Sequence, residues 1–322
     1  IGRARRALAQ DDTAGARALL DQLGAERESD SEYWEILAFT QLRDGDAAAA
    51  AESLRKAIQN VQEAFGMRRF MLRGSLAEAL LSSGNLAEAR KVVEGLYRDA
   101  RQHPMPNYLM SRLEYQSGNH QQALAYAQAL LSIQPGNPLG NTLAGAASLA
   151  MNQPAQAENY LARAVEADPG NAIARKLLAQ TRLGLGSPED ALAALQPMVG
   201  SDTEATALAG MASIRAGDPE AAIELFRREL DADPANDDAR MQLVVSLMAA
   251  GRNDEALAQL GMMSELDDAG QLRADLVETA VHLQARDLDL ARDKARAAAE
   301  ARPGDPQVRN SLGALFMSAG LA

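Results

Sequence analysis

The chain has 322 residues, no cysteine, 4% aromatic residues and a net charge of −12. Disulfides, thiol chemistry and cysteine-held metal are thereby excluded, and 32 Lys+Arg against 44 Asp+Glu leave little for the basic face that a nucleic-acid ligand needs. Abundant alanine with few aromatics favours helices packed closely through small side chains, and 24% charged residues is a globular proportion.

The chain opens without Met on "IGRARRALAQDDTAG", which has neither the apolar core nor the cleavage site of a signal peptide and is already helical in pattern. It reads as a piece excised from a longer protein. From there one marker recurs, a Gly or Asn turn followed by an alanine. It stands at Ala50, Ala89, Ala123, Ala157, Ala191, Ala222 and Ala256, and adding Ala16 before and Ala291 after gives successive gaps of 34, 39, 34, 34, 34, 31, 34 and 35 residues. Behind each alanine runs an apolar stripe at i, i+4 and i+7, as in Ala50, Leu54 and Ala57, in Ala157, Leu161 and Ala164, and in Ala256, Leu260 and Met263. A first helix precedes each turn, marked by Trp34, Leu37, Ala38 and Gln41 and then by Leu76, Ala77 and Leu80. Each unit is therefore helix, turn, helix and link.

In chain order this predicts one continuous array over 1–322: a partial repeat at 1–27, repeats from about 31, 70, 104, 138, 172, 203, 237 and 272, and a lone helix at 306–322. The links carry their own punctuation. In "PGN" at Pro135 to Asn137, and again at Pro169 to Asn171, the proline stops a second helix, the glycine lets the chain turn and the asparagine caps the next first helix. Two irregularities break the period. Five residues are added between Asn60 and Gly74, lengthening a helix or its link, and three are missing around Pro197 to Ala205. The basic-aromatic cluster Arg68, Arg69 and Phe70 makes the first of these a candidate secondary docking spot.

A two-helix unit cannot bury both its stripes alone, so neighbours stack and share a core. Small residues such as Ala50, Ala89 and Ala157 fall where helices cross. At Trp34, Leu37, Ala38, Ala50, Leu54 and Ala57 the chain resembles the tetratricopeptide repeat family, whose pattern is W-x2-L-G-x2-Y, A-x3-F and a terminal proline. Ala38 replaces the family's glycine, which Gly145, Gly210 and Gly313 supply elsewhere, and Gln41 stands where Tyr is common. Terminal prolines recur at Pro135, Pro169, Pro234 and Pro303.

The resemblance implies an all-α, right-handed superhelical solenoid of about nine helix-turn-helix repeats plus a partial C-terminal unit. It also implies a concave binding groove lined by the first helices. The family's inward register places Glu35 and Phe39, Glu78, then Tyr108, Arg112 and Tyr115, then Lys176 and Gln180, then Met211, and finally Met241, Val245 and Met248 in that groove. Tyr and Arg spaced by four and three share a helical face and are enriched at binding hot spots. Lys176 and Gln180 imitate half of the carboxylate clamp of chaperone-tail binders, but Leu208 occupies the place of the next Asn, so tail binding is not expected.

Enzyme signatures are absent from the sequence. His103, His120 and His282 form no metal pair and are expected on surfaces or links, no phosphate loop or nucleophile elbow occurs, and Asp30, Asp218 and Asp305 look like helix caps. No enzyme, cofactor or metal is expected. The expected function is a non-catalytic scaffold for a protein partner, whether peptide segment, helix or folded domain, with no nucleic acid and no direct membrane insertion. The long, alanine-rich, divergent array most resembles bacterial envelope scaffolds of exopolysaccharide assembly and export, which implies a periplasmic location. Alternatives are a cytoplasmic regulator or assembly chaperone, or the carrier array of an enzyme or polysaccharide-binding protein whose active domain lies elsewhere. The acidic charge predicts little contact with anionic polysaccharide.

Overall fold

The computed structural model describes residues 1–23, 29–61, 66–263 and 268–320. Residues 24–27 of the expected partial repeat, 62–65 of the lengthened link and 321–322 of the last helix lie outside them. Among the described residues all regular structure is helical, and the chain divides into two compact units, Ile1–Ala174 and Arg175–Ala322.

The first unit holds α1 (Gly2–Ala9), α2 (Thr13–Asp21), α3 (Ser31–Arg43), α4 (Ala47–Gln59), α5 (Met67–Ser82), α6 (Leu86–Asp99), α7 (Pro104–Gln116), α8 (His120–Ile133), α9 (Pro138–Ala150) and α10 (Pro154–Ala167). Helix α11 (Ala172–Gly184) spans the boundary. The second unit continues with α12 (Pro188–Leu195), α13 (Thr203–Arg215), α14 (Pro219–Ala232), α15 (Asp237–Ala249), α16 (Asn253–Leu260), α17 (Asp268–Gln284), α18 (Leu288–Ala301) and α19 (Pro306–Ser318). In each unit successive helices pack on one another. Odd-numbered first helices also touch the next first helix, α5 on α7 and α7 on α9 in one unit, α13 on α15 and α15 on α17 in the other. The first helices thus form one layer and the second helices another.

Local chemistry sets these hairpins. Within each hairpin one residue takes a left-handed conformation, and it is usually glycine: Gly45, Gly84, Gly118, Gly186, Gly217 and Gly251 all have φ between 73° and 83°. Glycine adopts this region without the Cβ clash that penalises other residues. Asp11, Asn152 and Arg286 hold the same place with φ of 65°, 57° and 64°. The following residue or its neighbour caps the second helix, as Asp46 accepting from the Ala49 amide at 2.9 Å and Asp218 accepting from the Ala221 amide at 3.0 Å.

The links between hairpins turn at Pro135–Gly136 and Pro169–Gly170, as the punctuation implies. Gly136 and Gly170 keep ordinary negative φ, so neither is needed for a left-handed turn. The expected caps form: Asn137 accepts from the Gly140 amide at 2.9 Å and Asn171 from the Ala174 amide at 3.0 Å.

Close crossing of the helices explains the small residues. Ala50, Ala89 and Ala157 are fully buried. A Cβ added at Gly145 would lie 2.5 Å from the Leu161 side chain, and one at Gly210 would lie 2.3 Å from the Phe226 ring. Both irregularities in the period also have structural counterparts. Helix α5 has 16 residues where α3 and α7 have 13, close to an added turn. Helix α12 has 8 residues where α10 has 14, because Pro197 cannot donate its backbone bond and the chain passes into a 3-10 turn at Gln196–Met198.

Candidate functional site

The first-helix face of the unit at 1–174 is laced by charge pairs one repeat apart. Arg68 on α5 reaches Glu35 on α3 at 3.1 Å. One repeat on, the Arg112 guanidinium of α7 pairs with Glu78 of α5 and also donates to the Ser82 hydroxyl at 3.0 Å. Tyr108, one turn before Arg112, lies within electrostatic reach of Glu78. Glu78, Tyr108 and Arg112 therefore form one half-buried cluster bridging two adjacent first helices.

Its electrostatics follow from that position. Burial pushes the Glu78 carboxyl above its ordinary value, against the lowering effect of the Arg112 charge and the Tyr108 hydroxyl. Burial likewise raises Tyr108, and the Glu78 charge adds to it. The cluster is a polar, partly desolvated spot, which is the setting where hydrogen bonds to a partner are strong and mismatches costly.

Other expected site residues lie elsewhere. Tyr115 turns from Arg112 toward the hairpin turn and tilts against His120, with ring centroids 5.3 Å apart. Phe39 is half-buried and packs with the N-terminal core around Tyr33 and Ile36. Arg68, Arg69 and Phe70 do not act as one cluster. Arg68 joins Glu35, whereas Phe70 sits edge-on to His103 at 5.1 Å and Arg69 lines a recess with it.

In the unit at 175–322, Lys176 is spoken for within the chain, pairing with Asp202 at 3.2 Å and Glu204 at 2.5 Å. The Glu204 hydrogen bond leads in raising its pKa. Gln180 is exposed beside it. Met211 and Val245 are 44% and 40% exposed and offer an aliphatic surface, but Met241 is only 6% exposed and Met248 packs against the Val244–Leu247 core. Met241 serves the interior more than the face.

Among the histidines, His103 caps α7, its Nδ1 accepting from the Met105 amide at 3.2 Å, and His282 is buried instead of lying on a surface. Among the described residues no group of three or more His, Asp and Glu side chains is placed to hold a metal ion, and no helix is long and apolar enough to cross a membrane.

One element of the face escaped the sequence reading. Met71, Leu139 and Ile173 are 51%, 50% and 63% exposed, and with half-buried Met105 they stand at successive 34-residue steps, each three residues before a groove position. They make an apolar row along the same face as Glu78 and Tyr108. The signal was available: an apolar residue at the same repeat position in four consecutive units.

Stacked helical hairpins presenting an open layer of first helices define a repeat scaffold. Tetratricopeptide-repeat profiles match residues 1–65 and 74–138, and again 148–214 and 213–276. The chain belongs to the tetratricopeptide repeat family. No curated protein matches its sequence. Among solved structures it is similar to the anaphase-promoting-complex hetero-tetramer Cut9-Hcn1, with 14% identity and a TM-score of 0.55 over 95% of this chain and 60% of that one. It is also similar to a thermophilic repeat protein of Thermus thermophilus, with 20% identity and a TM-score of 0.43 over 56% and 99% of the two chains. YrrB, described as a repeat protein with an unusual peptide-binding site, aligns at 20% identity and a TM-score of 0.49 over 61% and 97%. Tetratricopeptide arrays are generally non-catalytic scaffolds that bind proteins, and this chain has their architecture.

Proposed function

We propose that the chain is a non-catalytic scaffold that holds a partner protein against its first-helix face, with Tyr108 and Arg112 as the anchoring pair. The observation that carries this reading is the Glu78–Tyr108–Arg112 cluster beside the exposed row Met71, Leu139 and Ile173. An aromatic and an arginine flanked by apolar surface is the composition of an interface hot spot. The Met211 and Val245 surface of the second unit extends the same kind of contact to apolar or helical segments.

The finer assignment is to a bacterial envelope machine of exopolysaccharide synthesis or export, working in the periplasm. It rests on the length, alanine content and divergence of the array. The test is partner capture from envelope and cytosolic extracts by the wild type and by the Tyr108→Ala, Arg112→Ala double variant, with circular dichroism to confirm folding. Capture from the envelope extract, reduced at least about tenfold by the double variant, is the expected result, since hot-spot truncations cost about 2 kcal/mol or more. Undiminished capture by a folded double variant removes the face from consideration. Capture from cytosol alone removes the envelope assignment and leaves the scaffold.

A further inference from the structure

A second site lies behind α5, away from the face just described. Arg69, Arg73 and Leu76 project from the side of α5 opposite Glu78, as their spacing on a 3.6-residue helix requires, and Phe70 stands at the edge of that side. With Ile58 of α4 and Lys91 and Val92 of α6 they line a recess of about 860 Å³.

The walls of this recess are held in place. Arg73 pairs with Asp99 at 2.7 Å, lying across α6 where Gly95 leaves room; a Cβ at Gly95 would come within 2.6 Å of the guanidinium nitrogen. Glycine inside a helix is less favourable than alanine, so this notch comes at the expense of α6. Phe70 is fixed edge-on by His103.

The charge is as notable as the shape. Residues 66–113 carry eight Lys+Arg against four Asp+Glu in a chain whose net charge is −12. Asp99 also lines the recess but is matched by Arg73, whereas Arg69 and Lys91 pair with no acidic group among the described residues, so two cations flank an apolar floor made by Ile58, Phe70, Leu76 and Val92.

We infer that this recess takes an acidic peptide segment bearing one bulky apolar side chain, the side chain entering between Phe70 and Val92 while carboxylates meet Arg69 and Lys91. The site goes beyond the scaffold face proposed above and stands or falls separately from it. A basic or neutral segment would leave both cations uncompensated, and a wholly polar acidic one would leave the floor wet.

The probe is a fluorescein-labelled octapeptide with one Phe flanked by Asp and Glu residues, followed by fluorescence anisotropy at about 50 mM and about 0.5 M salt, on either side of effective screening. Controls carry Lys in place of the acids, or Gly in place of Phe. The expected result is saturable binding to the wild type that weakens at least about tenfold at high salt. Either control peptide should bind about tenfold more weakly, as should the probe with an Arg69→Glu, Lys91→Glu variant that keeps the wild-type circular dichroism. The Tyr108→Ala, Arg112→Ala variant should bind the probe like the wild type. No binding to wild type, equal binding to the charge-reversed variant, equal binding of the Gly control, or loss of binding in the Tyr108 and Arg112 variant would each overturn the assignment.

Discussion

The face carried by α5 and α7 and the face carried by α13 and α15 use the same repeat positions for different chemistry. At the first, Glu78, Tyr108 and Arg112 make a polar bridge; at the second, Met211 and Val245 present aliphatic surface. Charge follows the same division, with 17 Lys+Arg and 20 Asp+Glu in residues 1–174 against 15 and 24 in residues 175–322. Behind both faces the packing is alike: Gly145 meets Leu161 in one unit, and Gly210 meets Phe226 in the other. Helix crossings constrain which residues fit, whereas the face positions are only partly covered by neighbours and are free to specialise.

The comparison breaks first at the crossings. Gly145→Ala and Gly210→Ala should each destabilise by about 1–3 kcal/mol through overpacking, and Ala157→Leu by a similar amount, as read from urea unfolding. Met211→Ser should change stability by no more than about 0.5 kcal/mol. Equal effects at crossing and face would erase the distinction. The hairpin turns should behave alike in both units: Arg286→Gly, placed where φ is 64°, should stabilise by about 1 kcal/mol, raising the unfolding midpoint.

Two carboxylates sharpen the contrast between face and packing through pH. Glu114 is buried; burial alone would raise its pKa, but hydrogen bonds from Arg90 and Asn119, at 2.6 Å each, and the Arg90 charge leave it lowered. Its contribution is full above the ordinary value of 4.5 and is lost as pH falls through its lowered one. Glu78 is raised, so the folded state binds the extra proton and stability falls as pH rises from 4.5 through the raised value. Urea series across that range should show Glu114→Gln and Glu78→Gln removing slopes of opposite sign. Smallest of all, the exposed pairs Arg55–Glu88 and Arg227–Glu255 link successive second helices in the two units, and added salt should weaken each only slightly.

Fold class was legible because the 34-residue period, the turn glycines and the caps are local signals that agree with one another. Gly136 and Gly170 do lie in turns, but those turns are made with ordinary φ, so the glycines there are not conformationally required. The site was only partly legible. Pairings such as Arg112 with Glu78 join residues 34 apart, and that partner is set by how neighbouring helices rotate against each other. The same rotation sends Met241 inward and turns Tyr115 to His120, whereas Arg68 and Phe70 part because residues two apart on one helix point to different sides.

The central claim is that partners are gripped by the first-helix layer. Site-specific photo-crosslinking tests it most directly, with benzoylphenylalanine placed in turn at Tyr115, at Met211 and at Arg163, an exposed residue of second helix α10. Crosslinks to a captured partner from Tyr115 or Met211 and none from Arg163 are the predicted result. Crosslinks from Arg163 alone would contradict it.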